Sequence, residues 1–159
     1  REGLNNEKIE ISKITNFNLL KGDLSDALKG ADIFIGVSKG NLLTEGHIRL
    51  MSKNPIIFAL ANPVPEVMPD IAKKAGAFII ATGRSDFPNQ VNNSLAFPGI
   101  FRGALDIKAK RITDDMKIAA AEAIASLIKN PSVENIIPSS LDKDVVPAVA
   151  EAVKKAYKE

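Results

Sequence analysis

Asp32-Ile33-Phe34-Ile35-Gly36-Val37-Ser38 is a continuous aliphatic run that stops on a small polar residue. The same design returns in Pro55-Ile56-Ile57-Phe58-Ala59-Leu60-Ala61-Asn62 and in Ala77-Phe78-Ile79-Ile80-Ala81-Thr82-Gly83. None of the three alternates polar with apolar positions. Runs of this length without alternation suit strands buried on both faces, the habit of parallel sheets covered by helices. Their starts lie roughly 21–24 residues apart, the length of a strand plus a crossover helix.

The intervening segments read as those helices. Thr44 can cap a stretch in which Ile48 and Met51 sit three apart, while Pro69 at a first helical position and Gly76 at the far end bracket Asp70 to Ala75. Repeating strand and helix predicts an α/β sheet with right-handed crossovers.

After residue 98 the pattern is helical only. Thr113 is an N-cap with Asp114 and Asp115 at the positive end of the helix dipole, and Met116, Ala120, Ile124, Leu127 and Ile128 share an apolar face. A last helix is predicted from about Val145 to Tyr157, capped by Asp144, with Pro147 in its first turn and a stripe of Val146, Val149, Val153 and Tyr157. Asn130 to Ser140 reads as a loop, and residues before about 23 are weakly patterned.

Composition narrows the classes. The 159 residues carry 21 Lys and Arg against 19 Asp and Glu, a net charge of +2, too small and too evenly spread for a nucleic-acid or acidic membrane surface. There is no cysteine, which excludes disulfides, thiol catalysis and thiolate metal sites. No apolar run has the length of a membrane span, and the first residues lack the apolar core of a signal peptide, so a soluble, cytoplasmic protein is expected. Partners are expected to be small molecules or other subunits. Because the chain opens on Arg1 and charged residues with no opening strand, it is expected to be part of something longer.

In an open parallel sheet, ligands bind beyond the carboxyl ends of the strands. Ser38, Asn62 and Thr82-Gly83 occupy those ends. Asn62 precedes Pro63, which pushes its backbone into extended geometry. A fixed amide there can donate to a carboxylate or carboxamide and accept from a hydroxyl without adding charge; equally, it can form an Asx turn into Pro63-Val64-Pro65.

The third strand leads into Arg84-Ser85-Asp86-Phe87-Pro88-Asn89-Gln90-Val91-Asn92-Asn93, a loop with more hydrogen-bonding groups than a connection needs. Asn92 and Asn93 can cap a helix before Ser94 to Phe97, but capping needs only one of them. Arg84 and Asp86 either bind a ligand or, the better reading, pair to hold the loop. His47, the single histidine, reads as a solvated surface residue away from the strand ends, which disfavours a histidine base. No phosphate loop and no Gly-x-Gly-x-x-Gly fingerprint is present.

These stretches resemble the carboxyl-terminal, NAD-binding part of malic enzymes of the compact prokaryotic type. The resemblance is carried by Gly30 to Ser38, by Ile57-Phe58-Ala59-Leu60-Ala61-Asn62-Pro63, and above all by Ala81 through Asn93 running into Phe97-Pro98-Gly99-Ile100. It extends in weaker form from Leu24 to the last helix.

The resemblance implies the distal part of a Rossmann-type parallel sheet with helices on both faces and a helical C-terminal tail. Residues 1–159 would then be a partial NAD(P)-binding domain, with βα units over about 23–97 and the tail over about 98–159, the catalytic amino-terminal part lying outside. It implies oxidation of malate with NAD or NADP and decarboxylation to pyruvate with Mn or Mg, the chain alone being inactive. Asn62, Asn92 and Asn93 would contact malate; Gly36, Val37, Ser38, Asn62 and Asn93 would contact the cofactor. The family's catalytic tyrosine and lysine, its acidic metal ligands and its glycine fingerprint belong to sequence before Arg1, so no catalytic residue and no metal ligand is assigned here. Tyr157, on an apolar stripe, is no substitute.

Where many relatives have Ser-Ala-Pro-Gly, this chain has Ser38-Lys39-Gly40-Asn41, which leaves NAD against NADP open. The family generally forms dimers or larger assemblies. A malolactic relative releasing lactate and a non-catalytic interaction module are the rival readings.

Overall fold

The computed structural model describes residues 5–158. Three short strands, β1 (Ile33–Gly36), β2 (Ile56–Ala59) and β3 (Ile79–Thr82), form one parallel sheet in the order β1-β2-β3. Ile33 pairs with Ile56 and Ile56 with Ile79, so the equivalent positions of the three runs stand side by side. Before β1 lie α1 (Asn6–Ile14), which buries no residue, and α2 (Leu24–Leu28); α3 (Glu45–Leu50) and α4 (Pro69–Ala75) are the crossovers.

The crossover helices begin and end where local chemistry dictates. The Thr44 hydroxyl accepts from the His47 N–H at 3.2 Å, satisfying one of the free donors of the first turn of α3. Pro69 opens α4, where a missing N–H is harmless, and Gly76 closes it at φ 105°, a left-handed conformation that costs glycine nothing.

Within this chain the two faces of the sheet are buried to different extents. Phe34, Ile57 and Ile80 face a core completed by Leu28, Ile48 and Ala72 from α2, α3 and α4. Among the described residues the opposite face is open at β1, where Ile33 is 52% and Ile35 66% exposed, and closed at β3, where Ala81 is fully buried. Within this chain, helices cover the first face, and the second face is buried toward β3.

Beyond β3 come a 3-10 turn (Asn93–Leu95) and α5 (Phe97–Asp106), α6 (Asp114–Ser126) and α7 (Val145–Ala156). These three helices share a second core that includes Leu95, Met116, Ala120, Val149 and Val153. Glycines allow α5 and α7 to close up: a Cβ at Gly99 would sit 2.5 Å from that of Val149, and one at Gly103 2.6 Å from the Ala150 carbonyl oxygen.

Two details of the last helix differ from the sequence reading. Asp144 stands at the N-cap position but makes no capping bond, because its backbone is already helical (φ −82°, ψ −19°) and its carboxylate is not turned toward the first free amides. The buried stripe is Val145, Val149, Ala150 and Val153, whereas Val146 is 36% exposed. The spacing of the valines alone does not choose between these adjacent positions. Tyr157 ends α7, packs on the helical core, and its phenol oxygen accepts from the Lys110 N–H at 3.3 Å.

Candidate functional site

The carboxyl ends of the strands open on one side of the sheet. After β1, Gly36 is buried while Val37 (78%) and Ser38 project into solvent. After β2, the Leu60 N–H still reaches the Gly36 carbonyl at 3.0 Å, and Asn62 then emerges, exposed, ahead of a cis bond to Pro63. After β3, Thr82 is fully buried; its carbonyl accepts from the Val91 N–H at 2.8 Å and its hydroxyl from the Arg84 N–H at 3.2 Å.

Gly83 is the point on which the amides meet. The Asn62 side chain lies against it, so near that a Cβ there would be 3.2 Å from Asn62 Oδ1. The Gly83 carbonyl receives long contacts from Asn92 Nδ2 (3.4 Å) and Gln90 Nε2 (3.5 Å), at or past the usual length of an N–H···O bond. Asn62 and Asn92, 30 positions apart in sequence, therefore flank one peptide.

The adjacent asparagines divide their work. Asn92 caps the 3-10 turn, its Oδ1 accepting from the Ser94 N–H at 3.0 Å. Asn93 is the first residue of that turn, with its side chain exposed beside the strand ends. One asparagine suffices for the cap, and the second amide is left available.

Arg84 and Asp86 pair with each other in a two-pronged contact, Nε to Oδ1 at 2.8 Å and Nη2 to Oδ2 at 2.7 Å, and the guanidinium also stands 5.4 Å from the Phe87 ring centre. Hydrogen bonding from Arg84 holds the Asp86 carboxyl below the usual aspartate value. His47 departs from the sequence reading: it is half-buried, and its Nδ1 accepts from the Thr44 N–H at 3.2 Å, completing a capping box at α3.

Two buried polar residues at this end of the sheet escaped the sequence reading. Glu66, fully buried, accepts from the Ser38 and Ala61 N–H groups at 3.0 Å each. Its signal was an acid in the otherwise apolar Pro63-Val64-Pro65-Glu66-Val67-Met68. Asn89 is 6% exposed, at φ 56°; its amide donates to the Ile80 and Val133 carbonyls at 3.0 and 2.9 Å and its oxygen accepts from the Ile136 N–H at 3.0 Å. Only its place in an amide-rich loop hinted at this.

The donor set at the strand ends consists of the amides of Asn62 and Asn93, the Ser38 hydroxyl and backbone groups. Neutral donors and acceptors of this kind suit ribose hydroxyls, a carboxamide and a carboxylate. Among the described residues no three His, Asp or Glu side chains gather to hold a metal ion.

An open parallel sheet with glycines and exposed amides at its carboxyl ends defines a Rossmann-type nucleotide-binding fold. Residues 6–157 match the family described as "Malic enzyme, NAD binding domain", and the chain belongs to that family. It is 56% identical to the bifunctional malic/malolactic enzyme of Bacillus subtilis, over 99% of this chain and 39% of that protein. It is 49% identical to the NADP-dependent malic enzyme of Halomonas elongata, over 92% of this chain and 34% of that protein. The crystal structure of the NAD-dependent malic enzyme of Thermotoga maritima superposes with a TM-score of 0.92 at 55% identity, over 97% of this chain and 40% of that one. The chain thus spans well under half the length of these relatives.

Proposed function

We propose that this chain forms part of the pocket in which an enzyme oxidises malate with NAD or NADP and releases pyruvate and carbon dioxide. The observation that carries the reading is the convergence of Asn62 and Asn92 on Gly83, with Asn93 beside them, at the carboxyl ends of a parallel sheet. In this reading Gly36, Val37 and Ser38 line the dinucleotide, Asn62 and Asn93 face both ligands, and Asn92 borders the malate side.

The dinucleotide, when bound, supplies the hydride acceptor. The part played by these residues is orientation: neutral amides hold a carboxylate and a carboxamide in register without adding charge near the reacting carbon, and alignment alone lowers a barrier substantially. None of them is placed to move a proton. In this reading the ligands of the Mn or Mg ion, with the acid and base, belong to the part of the complete enzyme outside this chain.

Two assays test this. The 159-residue chain supplied with malate, NAD or NADP and Mn should show no turnover above background, and the complete polypeptide should release pyruvate. Turnover by the short chain would mean that the chemistry lies within it. The name of the Bacillus subtilis relative supports a second reading, release of lactate with the cofactor retained, and product analysis separates the two. No helix among the described residues is long and apolar enough to cross a membrane, and we place the enzyme in the cytoplasm as a dimer or larger assembly.

A further inference from the structure

One buried side chain joins two of the candidate binding turns. The carboxyl oxygens of Glu66 are divided between them: Oε1 accepts from the Ser38 N–H and Oε2 from the Ala61 N–H, each at 3.0 Å. Ser38 lies past the end of β1 and Ala61 past the end of β2, so neither amide has a partner in the sheet ladder. The main chain closes the same clasp, with the Leu43 N–H donating to the Glu66 carbonyl at 2.9 Å and the Asn41 N–H to that of Pro65 at 3.0 Å. Gly36 makes room for it, since a Cβ there would collide with the Glu66 carboxyl carbon.

A core that needed only to be filled would take an apolar residue here, because burying a carboxyl is unfavourable unless its oxygens are hydrogen-bonded. What the acid adds is a pair of acceptors at a fixed separation, tied to two different loops. Resting on the reading above, in which residues 36–38 face the dinucleotide and Asn62 faces both dinucleotide and malate, we infer that Glu66 is a positioning residue that sets the distance between these two ligand-facing turns. It touches neither ligand.

The complete polypeptide provides the test. Residue-resolved hydrogen exchange on the unmodified protein should show a slowly exchanging Ser38 amide, although Ser38 is exposed and outside the strand. Glu66→Gln keeps the volume but turns one acceptor into a donor that faces an N–H; exchange at Ser38 or Ala61 should rise at least tenfold, and the dissociation constants for NAD or NADP should rise about tenfold. Val149→Ala in the helical core serves as a destabilised control and should leave dinucleotide affinity unchanged. Gly36→Ala, which displaces the carboxyl instead of removing it, should produce the same loss of Ser38 protection and covers the case in which Glu66→Gln does not fold.

Free exchange of Ser38 in the unmodified protein, protection retained in Gly36→Ala, or an affinity loss in Glu66→Gln no larger than in Val149→Ala would overturn the inference. Failure of the unmodified protein to bind either dinucleotide would overturn the functional reading instead, and the exchange data would still judge the clasp.

Discussion

The Asn62 side chain rests on Gly83, so closely that a methyl group there would crowd it: a Cβ at Gly83 would lie 3.2 Å from Oδ1 and 3.4 Å from Nδ2. The constraint here comes from the neighbouring side chain, not from the backbone angle of Gly83. Gly83→Ala should displace the Asn62 amide by a few tenths of an ångström. In the complete enzyme we expect kcat/KM for malate to fall on the order of tenfold, with little change in melting temperature. Steady-state kinetics beside thermal unfolding will separate the two effects.

Asn92 has a structural task that Asn93 lacks. Asn92→Ala removes the acceptor for the Ser94 N–H and should cost about 1 kcal/mol. Asn92→Ser, which can still cap the turn, should recover most of that stability in urea denaturation of the complete polypeptide.

Asn89 ties the loop after β3 to the strand through one hydrogen bond, to Ile80, and to the segment around residues 133–136 through two, with Val133 and Ile136. Removing the amide strands two carbonyls and an N–H, so Asn89→Ala should cost roughly 2–4 kcal/mol by the penalty for unsatisfied buried groups. Asn89→Asp should be no better, because one carboxylate oxygen would face both the Ile80 and Val133 carbonyls. Denaturant midpoints of the three proteins give the comparison.

The Arg84–Asp86 pair predicts a response to acid. Its carboxyl is held below the ordinary aspartate value by hydrogen bonding to Arg84, so the folded protein binds this proton less readily than the unfolded chain does. The contribution is therefore complete above the unfolded value and is lost as the pH falls through the folded one. Carboxyl-detected titration should find Asp86 below the usual range in the native protein, and Arg84→Gln should return it to that range.

What the sequence made legible is what neighbouring residues decide. The three aliphatic runs became the three strands, and Thr44, Thr113, Pro69 and Gly76 begin or end helices through contacts within a few positions. The Arg84–Asp86 pairing is equally local. Glu66 was not legible because its partner Ser38 lies 28 residues away, and Asn89 reaches partners 44 and 47 residues away. The burial of Val145 in place of Val146 likewise depends on packing within the helical core, beyond what its own segment shows.

On this reading the exposed Asn93 amide serves bound ligands and not the fold. The direct measurement is steady-state malate oxidation by the complete polypeptide and by its Asn93→Ala variant, with thermal unfolding of both. The unfolding curves should match and kcat/KM should be lower on the order of a hundredfold in the variant; unchanged kinetics would make Asn93 a plain turn residue.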